Sequence, residues 1–238
     1  MKFLRWTLTI LVLAVPLRAQ QDSGVTLTIR FPDGASRFHV GEVISVELSF
    51  KASGPNSYDM EMRNYDRSGR LNIDQFHVTP PGRDPLQRYF SIGGFMGGGL
   101  GGPRELSGDP QIMREDLNEW VALDLPGHYS MFVTSARISR RDAAKDEPIS
   151  LQSNRLEFEV VAADLAWQQQ SLSSAVTTFK MESSSPEERI AALRTLRFLD
   201  TPSSVQELVR LFGARLDGGP WNEVAGLAGS RSVNSSNR

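Results

Sequence analysis

The chain has 238 residues, of which 39% are hydrophobic and 23% charged. That is enough apolar material for one or two folded domains, and it excludes wholesale disorder. A net charge of -2 supplies no global field toward nucleic acid or an anionic membrane. The absence of cysteine rules out disulfides, thiol catalysis and cysteine-ligated zinc.

Residues 1–19 have the layout of a secretory signal. Lys2 and Arg5 form the positive start, Trp6 to Val15 the apolar run, Pro16 its break, and Leu17-Arg18-Ala19 a small-residue cut before Gln20. The run is short for spanning ~30 Å of hydrocarbon as an anchor. No cysteine follows the cut, so no lipid attaches there. The mature chain is therefore expected outside the cytoplasm, periplasmic or extracellular, with no membrane insertion after cleavage.

Period-2 alternation dominates residues 24–162. Val25, Leu27, Ile29 and Phe31 share one face of a strand, and Pro32-Asp33-Gly34 ends it. Arg37 to Val40 reads as a short edge strand. Ile44, Val46, Leu48 and Phe50 alternate with Ser45, Glu47 and Ser49. Tyr58, Met60 and Met62 share a face beyond the Ser53-Gly54-Pro55-Asn56 turn. Asp66-Arg67-Ser68-Gly69 reads as a hairpin connection into Leu71 to Phe76, with Gly69 free to take positive φ. From Thr79 to Pro110 the pattern gives a long loop whose glycine cluster, Gly93 to Gly102, reads as an exposed tip. Regular structure is expected to resume near Leu117, with Trp120 to Leu123 and Tyr129 to Ile138 as strands and Arg140 to Glu147 as a charged loop. Leu156, Phe158 and Val160 mark the last strand.

About seven to nine short strands separated by turn signals describe a two-sheet antiparallel sandwich. Asp124 to Tyr129 resembles the corner before a late strand of immunoglobulin-like domains. The resemblance implies a turn at Gly127 and a Tyr129 hydroxyl bonded back to the backbone. The cysteine pair of antibody domains is missing.

From Asp164 the period becomes helical. Leu165, Leu172, Val176 and Phe179 fall on one face, extended by Trp167. Ser185-Pro186-Glu187-Glu188 is a capping-box start, followed by the stripe Ile190, Leu193, Leu196 and Leu199, with Arg194 and Arg197 expected on a solvated face. Asp200-Thr201-Pro202 stops that helix and starts another, whose stripe is Val205, Leu208, Val209 and Phe212, ending at Gly213. Glu188, Ala191, Ala192, Leu193, Leu196, Leu199, Thr201, Pro202, Leu208 and Val209 resemble a HEAT-type repeat over about one unit. The expected organisation is a signal at 1–19, a sandwich at 24–162, a helical segment at 163–213 and an irregular or disordered tail at 214–238.

No motif carries chemistry. His39, His77 and His128 lack metal-ligand spacing, so no metal or cofactor is expected. Asp66 to Arg70 lacks the ligand alternation of a calcium loop. The glycine cluster lacks the Lys-Ser/Thr of a phosphate loop, and no G-x-S-x-G elbow surrounds Ser135 or Ser139. Glu115, Asp116 and Glu119 could supply paired carboxylates, but a solvated loop explains them at less cost. Arg137, Arg140, Arg141 and Lys145, interspersed with Asp142, Asp146 and Glu147, read as solvated surface. The expectation is thus an exported, non-enzymatic module for protein interaction or scaffolding, its partner another protein. The alternatives are a carbohydrate-binding accessory domain, which needs an exposed coplanar row among Tyr58, Tyr65, Tyr89, Phe90 and Trp120, a protease inhibitor using the glycine loop, and an exported hydrolase, which needs Glu115, Asp116, Glu119 and a histidine in one concave pocket.

Overall fold

Alternation in Val25–Arg30 (β1) and Ser45–Ala52 (β3) buries Val25, Leu27, Ile29, Val46, Leu48 and Phe50 against one core. These strands pair antiparallel, and β3 pairs on its other side with Gln111–Asp116 (β9), giving a three-stranded sheet. The computed structural model describes residues 24–54, 57–66, 69–91, 102–141, 148–212 and 221–235. The signal-like segment, most of the glycine cluster, Lys145 and Gly213 lie outside them.

The facing sheet has seven strands in the order β2-β12-β10-β4-β8, with β7 and β11 also paired to β10. They are Arg37–His39 (β2), Tyr58–Met60 (β4), Asp74–Thr79 (β7), Arg104–Leu106 (β8), Gly127–Arg140 (β10), Pro148–Gln152 (β11) and Leu156–Val161 (β12). Every pairing is antiparallel except β2 with β12. Tyr65–Asp66 (β5) and Gly69–Arg70 (β6) form a small hairpin of their own, with Gly69 at φ 121°, and not one that joins the Tyr58 strand to the next: β4 pairs with β8 and β10, and β7 pairs with β10. Residues from both sheets make a single cluster, so the chain is mainly β with a C-terminal helical segment.

Three expectations are corrected here. The stretch from Thr79 to Pro110 holds a helix, Gln87–Ser91 (α1), and strand β8, and regular structure resumes at Gln111 rather than Leu117. Trp120 to Leu123 is not a strand. Leu117–Trp120 forms a helical turn (α2) because the buried Asn118 amide accepts from Ile44 N at 2.7 Å and donates to the Glu42 carbonyl at 2.9 Å, replacing further ladder pairing with β3. The tail expected to be irregular from 214 onward forms Trp221–Gly229 (α6) and Arg231–Ser235 (α7) within the described residues. Three short apolar positions, Trp221, Val224 and Leu227, suffice for a helix because neighbours supply the packing.

The helical segment begins with Leu165–Lys180 (α3), whose N-cap Asp164 accepts from Trp167 N. Pro186–Leu199 (α4) starts with a complete capping box from Ser185 and Glu188, and Pro202–Leu211 (α5) with one from Thr201 and Ser204. Leu193, Leu196, Ala192, Ala175 and Leu208 form a second core, joined by Leu172, Val176 and Phe179. Helix α4 is central, packing against α3, α5 and α6.

Candidate functional site

The long strand β10 changes partners along its length. On one side it pairs with β7 up to Ser135 and with β4 from Ile138 onward. Its pairing with β11 carries a register shift between Ser135 and Ile138. Such a bulge breaks the in–out alternation, so both Arg137 and Ile138 are buried. Arg137, expected in a solvated basic loop, is instead fully enclosed. Its guanidinium donates to Asp74 Oδ2 at 2.6 Å, to the Glu61 and Arg63 carbonyls at 2.9 and 2.8 Å, and to Asn64 Oδ1. The guanidinium thus serves acceptors left over where β7 gives way to β4. Of its expected companions, Arg140 is exposed, and Arg141 pairs with Asp59 and Glu105. Ser135 is buried within β10.

The acidic trio is not a solvated loop. Glu115 points inward from β9, where both its oxygens accept from Asn64 Nδ2 at 2.8 and 2.9 Å. Burial pushes its carboxyl up to about 7, against the opposing pull of Asn64 and Arg137. Asp116 accepts from Ser45 and pairs with Arg194 of α4 at 2.9 Å. Glu119 pairs with Arg197 of α4 at 2.6 Å and accepts from the Tyr65 hydroxyl at 2.5 Å. Burial and this neighbouring carboxylate hold the Tyr65 hydroxyl well above its usual range. Arg194 and Arg197, expected on a solvated face, instead link the helical segment to the sandwich, and Arg197 is buried.

Aromatic rings close the junction. The Arg197 guanidinium lies 4.8 Å from the Phe198 ring centre and 5.7 Å from that of Trp221. Tyr65 and Tyr89 meet Trp221 edge-on at 5.4 and 5.8 Å. Arg70 lies over Trp120 at 4.8 Å and bonds Asp84, while Phe76 stacks on Trp120. Helix α6 is thus a wedge touching α4, α5 and α1 together. Its end is fixed as closely: a Cβ on Gly229 would sit 2.8 Å from the Pro85 carbonyl oxygen. Glu223 in the first turn is buried, neither carboxylate oxygen has a side-chain hydrogen-bond partner among the described residues, and burial raises its carboxyl above the ordinary range.

The remaining sequence candidates are dispersed. His39 stacks on Trp167 at 4.4 Å and meets Glu42, His77 stacks on Phe132 and meets Thr134, and His128 is exposed opposite Glu159. Among the described residues no group of three or more His, Asp or Glu is placed to hold a metal ion. Tyr58 and Trp120 are buried, and the pairs among Tyr65, Tyr89 and Phe90 are tilted by 33° and 72°, so these five rings form no exposed coplanar row. Two surface hollows stand out. One, about 520 Å³, lies between α1 and β7 beside Phe76, Phe90 and Arg70. The other, about 490 Å³, runs between α3 and α4 and is lined by Ser171, Ser174, Thr178, Ala191 and Thr195.

Sequence reasoning missed Asn64 and Asp74 and the junction roles of Tyr65 and Trp221, which depend on contacts across the fold and leave no local pattern. The signal for Arg197 was present: it falls one position beyond Leu196 on the side of α4 that faces the sandwich. No protein-family model matches the chain, and no curated protein matches it. The junction fixes two layers in one orientation and engages its acids with arginine, tyrosine, serine and amide partners.

Proposed function

We propose that the chain is an exported, non-enzymatic protein-interaction module, in which an immunoglobulin-like sandwich rigidly presents a HEAT-type helical pair to another protein. One observation carries this reading: the apolar stripe of α5 is only half covered. Leu208 is buried and Val205 half-buried, yet Val209 and Phe212 on the same stripe are 58% and 52% exposed. An amphipathic helix whose stripe exceeds what the described residues cover calls for a neighbour, as repeat helices do.

The finer parts of the reading have their own support. The Tyr129 hydroxyl donates to the Leu125 carbonyl at 2.7 Å, the bond expected of an immunoglobulin-like corner. The capping boxes of α4 and α5 flank the Thr-Pro turn of the HEAT-like resemblance. Export rests on the layout of residues 1–19.

The test is affinity capture from an extracytoplasmic extract of the source cell, using wild type and a Val209→Glu/Phe212→Glu variant of equal thermal stability. The reading expects a discrete partner held by wild type and lost with the variant. Equal capture by both, or none by either, overturns it.

A further inference from the structure

The three-stranded sheet has two edges, and they differ. Hydrogen bonds fix which backbone groups point outward. Ser53 N donates to the Gly24 carbonyl and Leu117 N to the Ile44 carbonyl, each at 2.8 Å. With the observed registers and the two-residue period of antiparallel ladders, Gln111, Met113 and Glu115 bond to β3. Ile112 and Arg114 then direct their N–H and C=O groups away from the sheet. The same phase sends Ile29 outward on β1.

At the β1 edge those outward groups are occupied. The Asn154 side chain accepts from Ile29 N at 2.8 Å and donates to the Ile29 carbonyl at 3.0 Å. A side-chain amide thus stands where a neighbouring strand would, which blunts the edge. At the β9 edge none of the four outward groups of Ile112 and Arg114 has a hydrogen-bond partner among the described residues. Ile112 is 52% exposed, and the Arg114 side chain 73%. Arg114 does not shield the edge, because its guanidinium is drawn back across the sheet to Glu47 at 2.8 Å. No proline lies between 111 and 116.

We infer that β9 is a docking edge that accepts an acidic, extended segment of another polypeptide as a fourth strand. This deepens the interaction-module reading, on which it rests, but uses a different surface from α5. The chemistry of the occupant follows from the outer face of the sheet. Arg30, Lys51 and Arg114 stand there, with the nearly buried Glu47 between Arg30 and Arg114 and with Asp116 engaged by Arg194. That face is left with positive charge, so an incoming strand carrying glutamate or aspartate beside Arg114 is favoured, with a β-branched residue beside Ile112. A second copy of β9 fits less well, since it brings a second Arg114 onto the same basic face.

The probe is a fluorescent ten-residue peptide alternating valine with glutamate and threonine, titrated against the full chain by anisotropy. Two control peptides accompany it, one N-methylated at alternate amides and one with lysine for glutamate. The edge-docking inference expects saturable binding of the acidic peptide, at least tenfold weaker binding of both controls, and slowed hydrogen exchange at the Ile112 and Arg114 amides. Arg114→Pro removes one outward N–H that has no partner within the chain and should abolish binding. Ile112→Glu, which leaves the backbone unchanged and sets a like charge beside the acidic strand, should weaken it at least fivefold should the proline variant fail to fold. Equal binding of the N-methylated peptide, unchanged exchange at both amides, or self-association through β9 in sedimentation without peptide binding would each overturn the inference. Loss of this binding alongside intact capture through Val209 and Phe212 would sink the edge alone and leave the interaction-module reading standing.

Discussion

Replacing Arg137 with methionine probes the enclosed charge network at its centre. Both Arg137 and Asp74 side chains have no exposed surface. The substitution keeps most of the side-chain volume but leaves the Asp74 carboxylate without its cation and the Glu61 and Arg63 carbonyls without this donor. Asp74 Oδ1 already lacks a hydrogen-bond partner among the described residues. Removing one member of a buried pair costs about 3–5 kcal/mol, because the other charge stays desolvated. For a chain of this size that lowers Tm by roughly 6–20 °C. Urea and thermal melts measure it directly. An Asp74→Leu/Arg137→Met double variant should be more stable than Arg137→Met alone, since the stranded charge is gone, though still below wild type because the two carbonyls remain unserved. A loss under about 1 kcal/mol for Arg137→Met, against the range expected for a buried pair, would refute the claim that this guanidinium ties β4, β7 and the 61–64 segment together.

Glu115 gives a pH prediction. Its folded carboxyl is raised to about 7, so the folded chain keeps a proton that the unfolded chain releases near 4.5. The associated stability is fully present below about pH 4.5 and is lost as pH rises through 7, a swing of about 3 kcal/mol. Urea melts of Glu115→Gln at pH 5 and 8 should lack most of that slope, and a slope equal to wild type would contradict the burial argument. Tyr129→Phe removes the bond to the Leu125 carbonyl and should cost about 1 kcal/mol in the same melts. Gly229→Ala sets a gain in helix propensity of up to ~1 kcal/mol against contact with the Pro85 carbonyl. That carbonyl is backbone and cannot swing aside, so a net loss of about 1–2 kcal/mol is expected, with faster hydrogen exchange along α6.

The legible parts of the fold were those where one face meets the core and the other meets water. Strands β1 and β3 are of this kind, and their apolar spacing located them closely, while α4, packed on several sides, was located by its capping box and apolar stripe. Strand β9 was hidden because Glu115 occupies an inward position that the pattern reserves for an apolar side chain. Asn64, 51 residues earlier in the chain, and Arg137 of β10 make a carboxylate acceptable there. Helix α2 was misread for a related reason, since the Asn118 side chain replaces a backbone ladder bond and no residue nearby announces it. Helix α6 carries an apolar set at helical spacing, Trp221, Val224, Ala225 and Ala228, but it is only nine residues long with glycine at 226 and 229, too short and weak to stand alone. It forms where Arg197, Tyr65 and Tyr89 already offer Trp221 a seat.

The two charge groups that resembled surface in the sequence are connected through the interior. The bulge in β10 turns Arg137 inward, and Arg137 fixes the segment that ends at Asn64. Asn64 holds Glu115, which sets the place of β9. The next residue, Asp116, and Glu119 one helical turn later then meet Arg194 and Arg197, so the helical segment inherits its orientation from a strand in the middle of the opposite sheet. Each link uses a charge that would be costly to bury alone and acceptable when paired. Strand β9 is where this sequence of contacts changes from one sheet to the other. Its inner side is committed to Glu115 and Met113, and the outward N–H and C=O groups of Ile112 and Arg114 have no hydrogen-bond partner among the described residues, so the proposed partner strand would use backbone groups that the junction does not.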